Sequence, residues 1–153
     1  MPKYIEPESV DFLLAHICHL HHSRAHELLE ALGLYRGQPP VLQALWEQQG
    51  LTHKEVATRL NIAPATVTKM IQRMEKAGFV LRKPDPEDQR VSRVYLTKAG
   101  HDIRGQVQAV WQRMEEETFA GFTQEEHMLL RRFLLQIREN LGKVTGDKNA
   151  AMK

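Results

Sequence analysis

Between Pro64 and Ala77 two kinds of residue recur at helical spacing. Val67, Ile71 and Met74 fall on one stripe, while Ala65, Thr66, Thr68, Lys69, Gln72 and Arg73 lie around the other side. The second set carries the chemistry. The small residues Pro64 and Ala65 at its start allow close approach to a partner surface. The Arg73 guanidinium can pair with guanine, the Gln72 carboxamide with adenine, and a threonine methyl can touch thymine in the major groove of duplex DNA. Thr66 and Lys69 equally suit phosphate oxygens, contacts that position a protein without specifying sequence. A helix with this pattern on its own would read as a solvated polar face, so its neighbours have to decide.

A second chemical cluster occupies the first third of the chain, where His16, Cys18, His19, His21, His22 and His26 share one helical stretch. His22 and His26 are spaced to share a metal, and so are Cys18 and His22. No matching carboxylate set accompanies them, so neither a metal nor another cofactor is expected. His21 falls within the apolar stripe near Leu14 and Ile17, where it either hydrogen-bonds at an interface or lines a ligand pocket. A redox role for Cys18 would require access and a lowered pKa; a lone helical cysteine is otherwise inert.

The elements that position these groups can be read from periodicity and punctuation. Apolar residues from Val10 to Leu32 recur at helical spacing over a segment running from Pro7 to Leu34, with Gly33 as its stop. Residues 35–38 read as a loop. Pro39 opens a second helix with Val41, Leu42, Leu45 and Trp46 inward, closed by Gly50. Thr52 and Glu55 have the spacing of a capping box and start a short helix with Val56, Ala57 and Leu60 inward. A tight connection at Asn61 and Ile62 leads to the Pro64 helix, which Gly78 ends. Two short helices so joined form a helix-turn-helix. Then the period changes to that of strands: residues 79–83 pair with residues 91–96 as a two-stranded hairpin, across a Pro84–Asp88 tip that cannot continue a strand. Thr97 caps a helix running through Ile103, Val107, Val110, Trp111 and Met114 towards Phe119. Thr123 and Glu126 form a second capping box, before a helix carrying Met128, Phe133, Leu134, Ile137 and Leu141.

The net charge of +2 is unevenly placed. Residues 51–100 hold 10 basic and 5 acidic groups, whereas residues 1–50 hold 3 and 6. The basic middle third fits a polyanionic partner. With 42% hydrophobic and 26% charged residues the composition is that of a soluble globular chain. No apolar run is long enough for a membrane helix, and the first residues lack the form of a secretory signal. With one cysteine, a cytoplasmic location is expected. No Gly-rich phosphate loop, Gly-x-Ser-x-Gly or metalloprotease His-Glu motif appears, so no enzymatic activity is expected.

The run from Ala63 to Val80 (APATVTKMIQRMEKAGFV), then Asp88-Gln-Arg90, then Val94 to Gly100 (VYLTKAG), resembles the MarR family of bacterial winged helix-turn-helix regulators. The likeness extends over nearly the whole order of elements. It departs at Ala63, where serine or aspartate would cap the following helix better. The resemblance implies a mainly α fold with a small β-wing. Residues 1–37 and 98–145 would form a helical dimerisation frame, residues 38–97 the DNA-binding lobe and residues 146–153 a disordered tail. It implies a homodimer on a pseudo-palindromic duplex, with recognition helices in major grooves and wings in flanking minor grooves. The function so implied is transcriptional regulation, as a repressor released by a small-molecule effector.

Within that frame Arg90 sits at the wing tip, where a narrow minor groove attracts a guanidinium. Asp88 is expected to orient Arg90 or tie the tip down. Arg82, Lys83 and Arg93 are assigned to the DNA backbone, with charged protection of a strand edge as the alternative for Arg82 and Lys83. His21, Tyr35, Trp46 and Trp111 are candidate walls of an effector pocket between frame and lobe, although helix–helix packing is the more ordinary role for each of the aromatic residues. Some relatives in the family sense zinc and one branch senses peroxide, which is why the histidine cluster and Cys18 are kept in view.

Overall fold

The structure, a computed structural model, describes residues 6–35 and 37–146. The chain divides into two compact units, residues 1–114 and 115–153. The first contains α1 (Val10–Glu30), α2 (Gln38–Glu47), β1 (Leu51–Thr52), α3 (His53–Leu60), α4 (Pro64–Lys76), β2 (Val80–Pro84), β3 (Ser92–Leu96), α5 (Lys98–Asp102) and most of α6 (Arg104–Thr118). The second contains the end of α6 and α7 (Gln124–Thr145). From residue 147 on, the expected disordered tail lies outside the described residues.

The core of the first unit gathers one stripe from each element. Val41, Leu42 and Leu45 of α2, Val56 of α3, and Val67, Ile71 and Met74 of α4 have no exposed surface. Val80 and Val94 of the sheet, and Ile103 and Val107 at the start of α6, complete the same cluster. Only the C-terminal end of α1 joins it, through Ala25 and Leu29. Truncating one of the fully buried aliphatic residues to alanine would cost about 2–5 kcal/mol.

Local signals set the helix ends. Thr52 Oγ1 accepts from Glu55 N at 3.1 Å while Glu55 Oε2 accepts from Thr52 N at 2.8 Å, closing the capping box on α3. Asn61 takes the left-handed conformation (φ 52°) and Ile62 N donates to Ala57 O, which reverses the chain between α3 and α4. Gly78, at φ 85°, turns the chain from α4 into β2. Gly100 is constrained by space: a Cβ there would stand 2.1 Å from Phe79 O, so only glycine lets α5 pack on the start of the wing.

Three details differ from the sequence reading. The wing belongs to a three-stranded antiparallel sheet of order β1-β3-β2, because Leu51 and Thr52 pair with Val94 and Arg93. A two-residue strand carries no alternation, so nothing in the sequence marked it. Pro84 ends β2 opposite Ser92 instead of belonging to the turn; as the last residue of an outer strand it disturbs no further ladder. The helix after Thr97 is also interrupted at Ile103, between α5 and α6.

In the second unit α7 starts at the Thr123–Glu126 capping box and has no buried residue along its 22 residues. Met128, Leu129, Phe133, Leu134 and Leu141 are all exposed.

Candidate nucleic-acid interface

The face of α4 opposite its buried stripe is polar and open. Pro64, Ala65, Thr66, Lys69, Gln72 and Arg73 are exposed, and Thr68 is half-buried. The helix starts at Pro64 behind Ala63, whose side chain makes no cap, as the sequence indicated. Among the described residues neither Lys69 nor Arg73 is paired with a carboxylate, so both charges are available to a partner. Helix α3 packs against α4, and β2 follows from it, so a rigid lobe presents the reading face. That rigidity matters because a bidentate contact to a base requires a fixed guanidinium or carboxamide.

The wing carries a graded set of arginines. Arg90 at the tip is 92% exposed, and Asp88 Oδ1 accepts from both its backbone N and its Nε at 3.1 Å. Arg82 is engaged by the protein instead: its Nε and Nη2 donate to the two carboxylate oxygens of Glu75 at 2.9 and 3.1 Å, bridging β2 to α4. This fork holds the Glu75 carboxyl below its ordinary range and raises Arg82. Lys83 lies 5.2 Å over the Tyr95 ring.

Arg93 is the most internally committed of the set. Its Nε donates to Asp85 Oδ2, its Nη1 donates to Gly50 O at 2.7 Å, and Glu55 Oε2 lies 3.8 Å away. Asp85 is buried at the root of the tip, where its Oδ1 also accepts from the N–H groups of Glu87 and Asp88. The Arg93 hydrogen bond, followed by those two backbone donors, holds the Asp85 carboxyl below its usual range. The anchor of the tip is therefore Asp85, and Asp88 is the residue that orients Arg90.

The MarR family profile matches residues 34–92, from the connection before α2 to the first residue of β3. The chain is 37% identical over 117 residues to the HTH-type transcriptional regulator YwoH of Bacillus subtilis (strain 168), covering 74% of this chain and 85% of that one. The chain belongs to the MarR family. Its similarity to the HTH-type transcriptional regulator TtmR of Methylorubrum extorquens (strain PA1) is 30% over 143 residues, or 89% of this chain and 71% of that one. The crystal structure of a MarR-like transcription regulator from Bacillus cereus ATCC 10987 superposes with a TM-score of 0.73 at 29% identity, over 84% of this chain and 92% of that chain. The protein is thus a winged helix-turn-helix transcriptional regulator, mainly helical with a small antiparallel sheet.

The other residues singled out from sequence fall elsewhere in this MarR fold. Trp46 packs on the lobe core and its Nε1 donates to Gly100 O at 2.9 Å. Tyr35 and Trp111 are exposed, as are His21 and Cys18 on α1. Within the same histidine cluster His26 Nε2 lies 3.8 Å from Glu30 Oε2. Among the described residues no group of three or more His, Cys, Asp or Glu side chains is placed to hold a metal ion, and no helix is long and apolar enough to cross a membrane.

Sequence reasoning missed Glu75, Asp85 and His53. Asp85 carried a usable signal, since an aspartate between two prolines at a turn commonly binds the backbone two residues on. Glu75 and His53 carried none, because their partners Arg82 and Thr68 lie on other elements.

Proposed function

We propose that this MarR-family regulator is a repressor that binds duplex DNA in a sequence-specific way as a homodimer and is released by a small-molecule effector. The observation that carries the reading is the outer face of α4, with Thr66, Lys69, Gln72 and Arg73 exposed opposite a fully buried stripe. In the mechanism α4 enters the major groove, where Arg73 and Gln72 read base edges and Thr66 and Lys69 meet phosphates. Arg90, the most exposed arginine of the wing, enters the adjacent minor groove. Arg82, Lys83 and Arg93 add positive field near the backbone, with Arg82 and Arg93 screened by Glu75 and Asp85.

Dimerisation is supported by apolar surface on the long helices. Phe12, Leu13, Ile17 and Leu20 are exposed on α1, and Met128, Leu129, Phe133 and Leu134 on α7. Surfaces of this kind mark protein contacts. A two-fold pair of lobes presents two α4 helices to successive major grooves about 34 Å apart, which makes the operator a pseudo-palindrome. An effector acts by binding more tightly to a dimer whose lobes sit at another spacing. His21, Tyr35 and Trp111 remain the candidate contacts for it because they are exposed; Trp46 is the weakest of the four, its indole N–H being already satisfied.

The direct test is binding of the purified protein, as salt is raised, to a duplex that it has selected from a random pool. The expected result is two chains per duplex and a slope of log affinity on log salt of about −0.9 for each phosphate neutralised. One chain per duplex, or an affinity indifferent to salt, would contradict the reading. Effector release is tested by adding phenolic ligands, zinc and peroxide in turn; an affinity unmoved by all three classes would remove that part of the mechanism.

A further inference from the structure

His53 begins α3 beneath the recognition helix. Its Nδ1 lies 3.1 Å from the Thr68 hydroxyl, and that hydroxyl donates its one hydrogen to Pro64 O at 3.1 Å. With that hydrogen given to Pro64 O, Nδ1 is the donor in the first contact; the neutral Nδ1–H tautomer and the imidazolium both supply it, and the buried, unpartnered Nε2 favours the neutral form. Its other nitrogen, Nε2, is then an acceptor. It is buried and has no partner among the described residues. The three groups form a short chain from α3 through Thr68 to the first carbonyl of α4.

We propose that His53 is a positioning residue for DNA recognition: it fixes Thr68 and the first turn of α4, and its unpartnered Nε2 makes that hold fail in acid. The inference rests on α4 being the DNA-reading helix. Protonation would place an N–H at Nε2 with no acceptor in reach, and a buried unpaired donor is costly. The ring then exchanges the site for water and releases Thr68. The surrounding charges oppose protonation on balance. Burial is the largest influence, Arg82 of β2 acts in the same direction, and Glu75 of α4 acts against both. On the sheet side Arg93 is turned to Asp85 and Glu55. The pKa of folded His53 therefore lies below its ordinary 6.5. Its contribution to stability is complete above 6.5 and is lost as pH falls from there through the folded value.

A consequence for specificity follows. With its hydrogen given to Pro64 O and one lone pair to His53, the Thr68 hydroxyl cannot donate to a base. Thr68 meets DNA through its methyl group, which suits the thymine methyl, or through its remaining lone pair, which suits the N–H donors of adenine N6 and cytosine N4.

The test measures affinity for the selected duplex from about pH 7.5 to about pH 5.5, in the wild type, in His53→Asn and in Thr68→Val. Asparagine keeps an N–H at the Nδ1 position and does not titrate. Because the folded pKa lies below 6.5, this one proton can cost the wild type at most about ten-fold in affinity at about pH 5.5, and both variants should lack that component. A parallel NMR titration of the unliganded wild type reads the ring directly, and His53 should titrate below its ordinary 6.5. Parallel pH profiles in wild type and His53→Asn, or a His53 ring that titrates at or above its ordinary 6.5, would overturn the inference and leave the DNA reading intact. A wild type that binds no duplex at neutral pH would overturn the DNA reading, and this inference with it.

Discussion

The α4 helix and the two long helices α1 and α7 obey the same rule of amphipathic spacing with opposite results. On α4, Val67, Ile71 and Met74 have no exposed surface, because α3 and the sheet supply the facing side chains. On α1, Leu13, Ile17 and Leu20 follow the same kind of spacing and are exposed, as are Leu129, Phe133 and Leu134 on α7. A stripe filled by its own chain makes a rigid platform, and its opposite face is free to be polar and to read a ligand. A stripe left unfilled is surface that a second chain can cover. One period in the sequence thus encodes two tasks, distinguished by whether the fold provides a partner.

That contrast can be broken at either end. The largest effect is expected from Leu13→Lys combined with Phe133→Lys on the long helices. These changes should yield a folded monomer whose operator affinity is lower by about 10²–10⁴, the loss that follows when two linked contacts become one. Light scattering and duplex titration check it, and an intact dimer would show that the unfilled stripes are not the interface. Next comes Ile71→Ala within the filled stripe, which should lower lobe stability by about 2–5 kcal/mol in a denaturant melt. A cost under about 0.5 kcal/mol would mean that the α4 platform is looser than its burial implies.

Arg73→Ala alters the reading face alone. It should weaken specific binding by about 1–3 kcal/mol with the melt unchanged. Equal weakening on all duplexes would instead make Arg73 a phosphate contact. Arg90→Ala should cost roughly tenfold in affinity without unfolding the dimer, because a tip guanidinium interacts mainly with the groove potential; unchanged affinity would remove it from the interface. The smallest effect belongs to Glu75→Gln. The Glu75–Arg82 pair is partly exposed and contributes at most about 1 kcal/mol to stability. Because the Glu75 carboxyl is held low by Arg82, that contribution is present above its ordinary 4.5 and disappears as pH falls through the folded value. In Glu75→Gln the part of the melt's acid dependence that comes from Glu75 should vanish, while Arg82, freed of its carboxylate, should steepen the salt slope of DNA binding. A slope equal to that of the wild type would mean that Arg82 lies away from the duplex.

Most of what positions the candidate site was legible in the sequence because it is local. The Thr52–Glu55 box, the reversal at Asn61, the α4 stripe and the break at Gly78 each depend on residues within one turn of each other. The contacts that set the electrostatics were not legible for the converse reason. Glu75 meets Arg82 across the α4–β2 turn, Asp85 meets Arg93 across the wing, and His53 meets Thr68 from another helix. Charge alone sent Arg82 and Arg93 to the DNA backbone, and the fold gives each an internal carboxylate. The β1 strand was invisible because two residues have no period, although its pairing with β3 explains why a hairpin that would be marginal alone is ordered here.

The central claim, that α4 reads bases and does so twice per duplex, is tested most directly by selection from a random duplex pool with the wild type and Arg73→Ala side by side. The account predicts an inverted repeat with half-sites about one helical turn apart for the wild type, and the same repeat with relaxed preference at one symmetric pair of positions for Arg73→Ala. Identical motifs from the two proteins would contradict the assignment of Arg73. A wild type that enriches no repeat would contradict the dimeric reading of DNA itself.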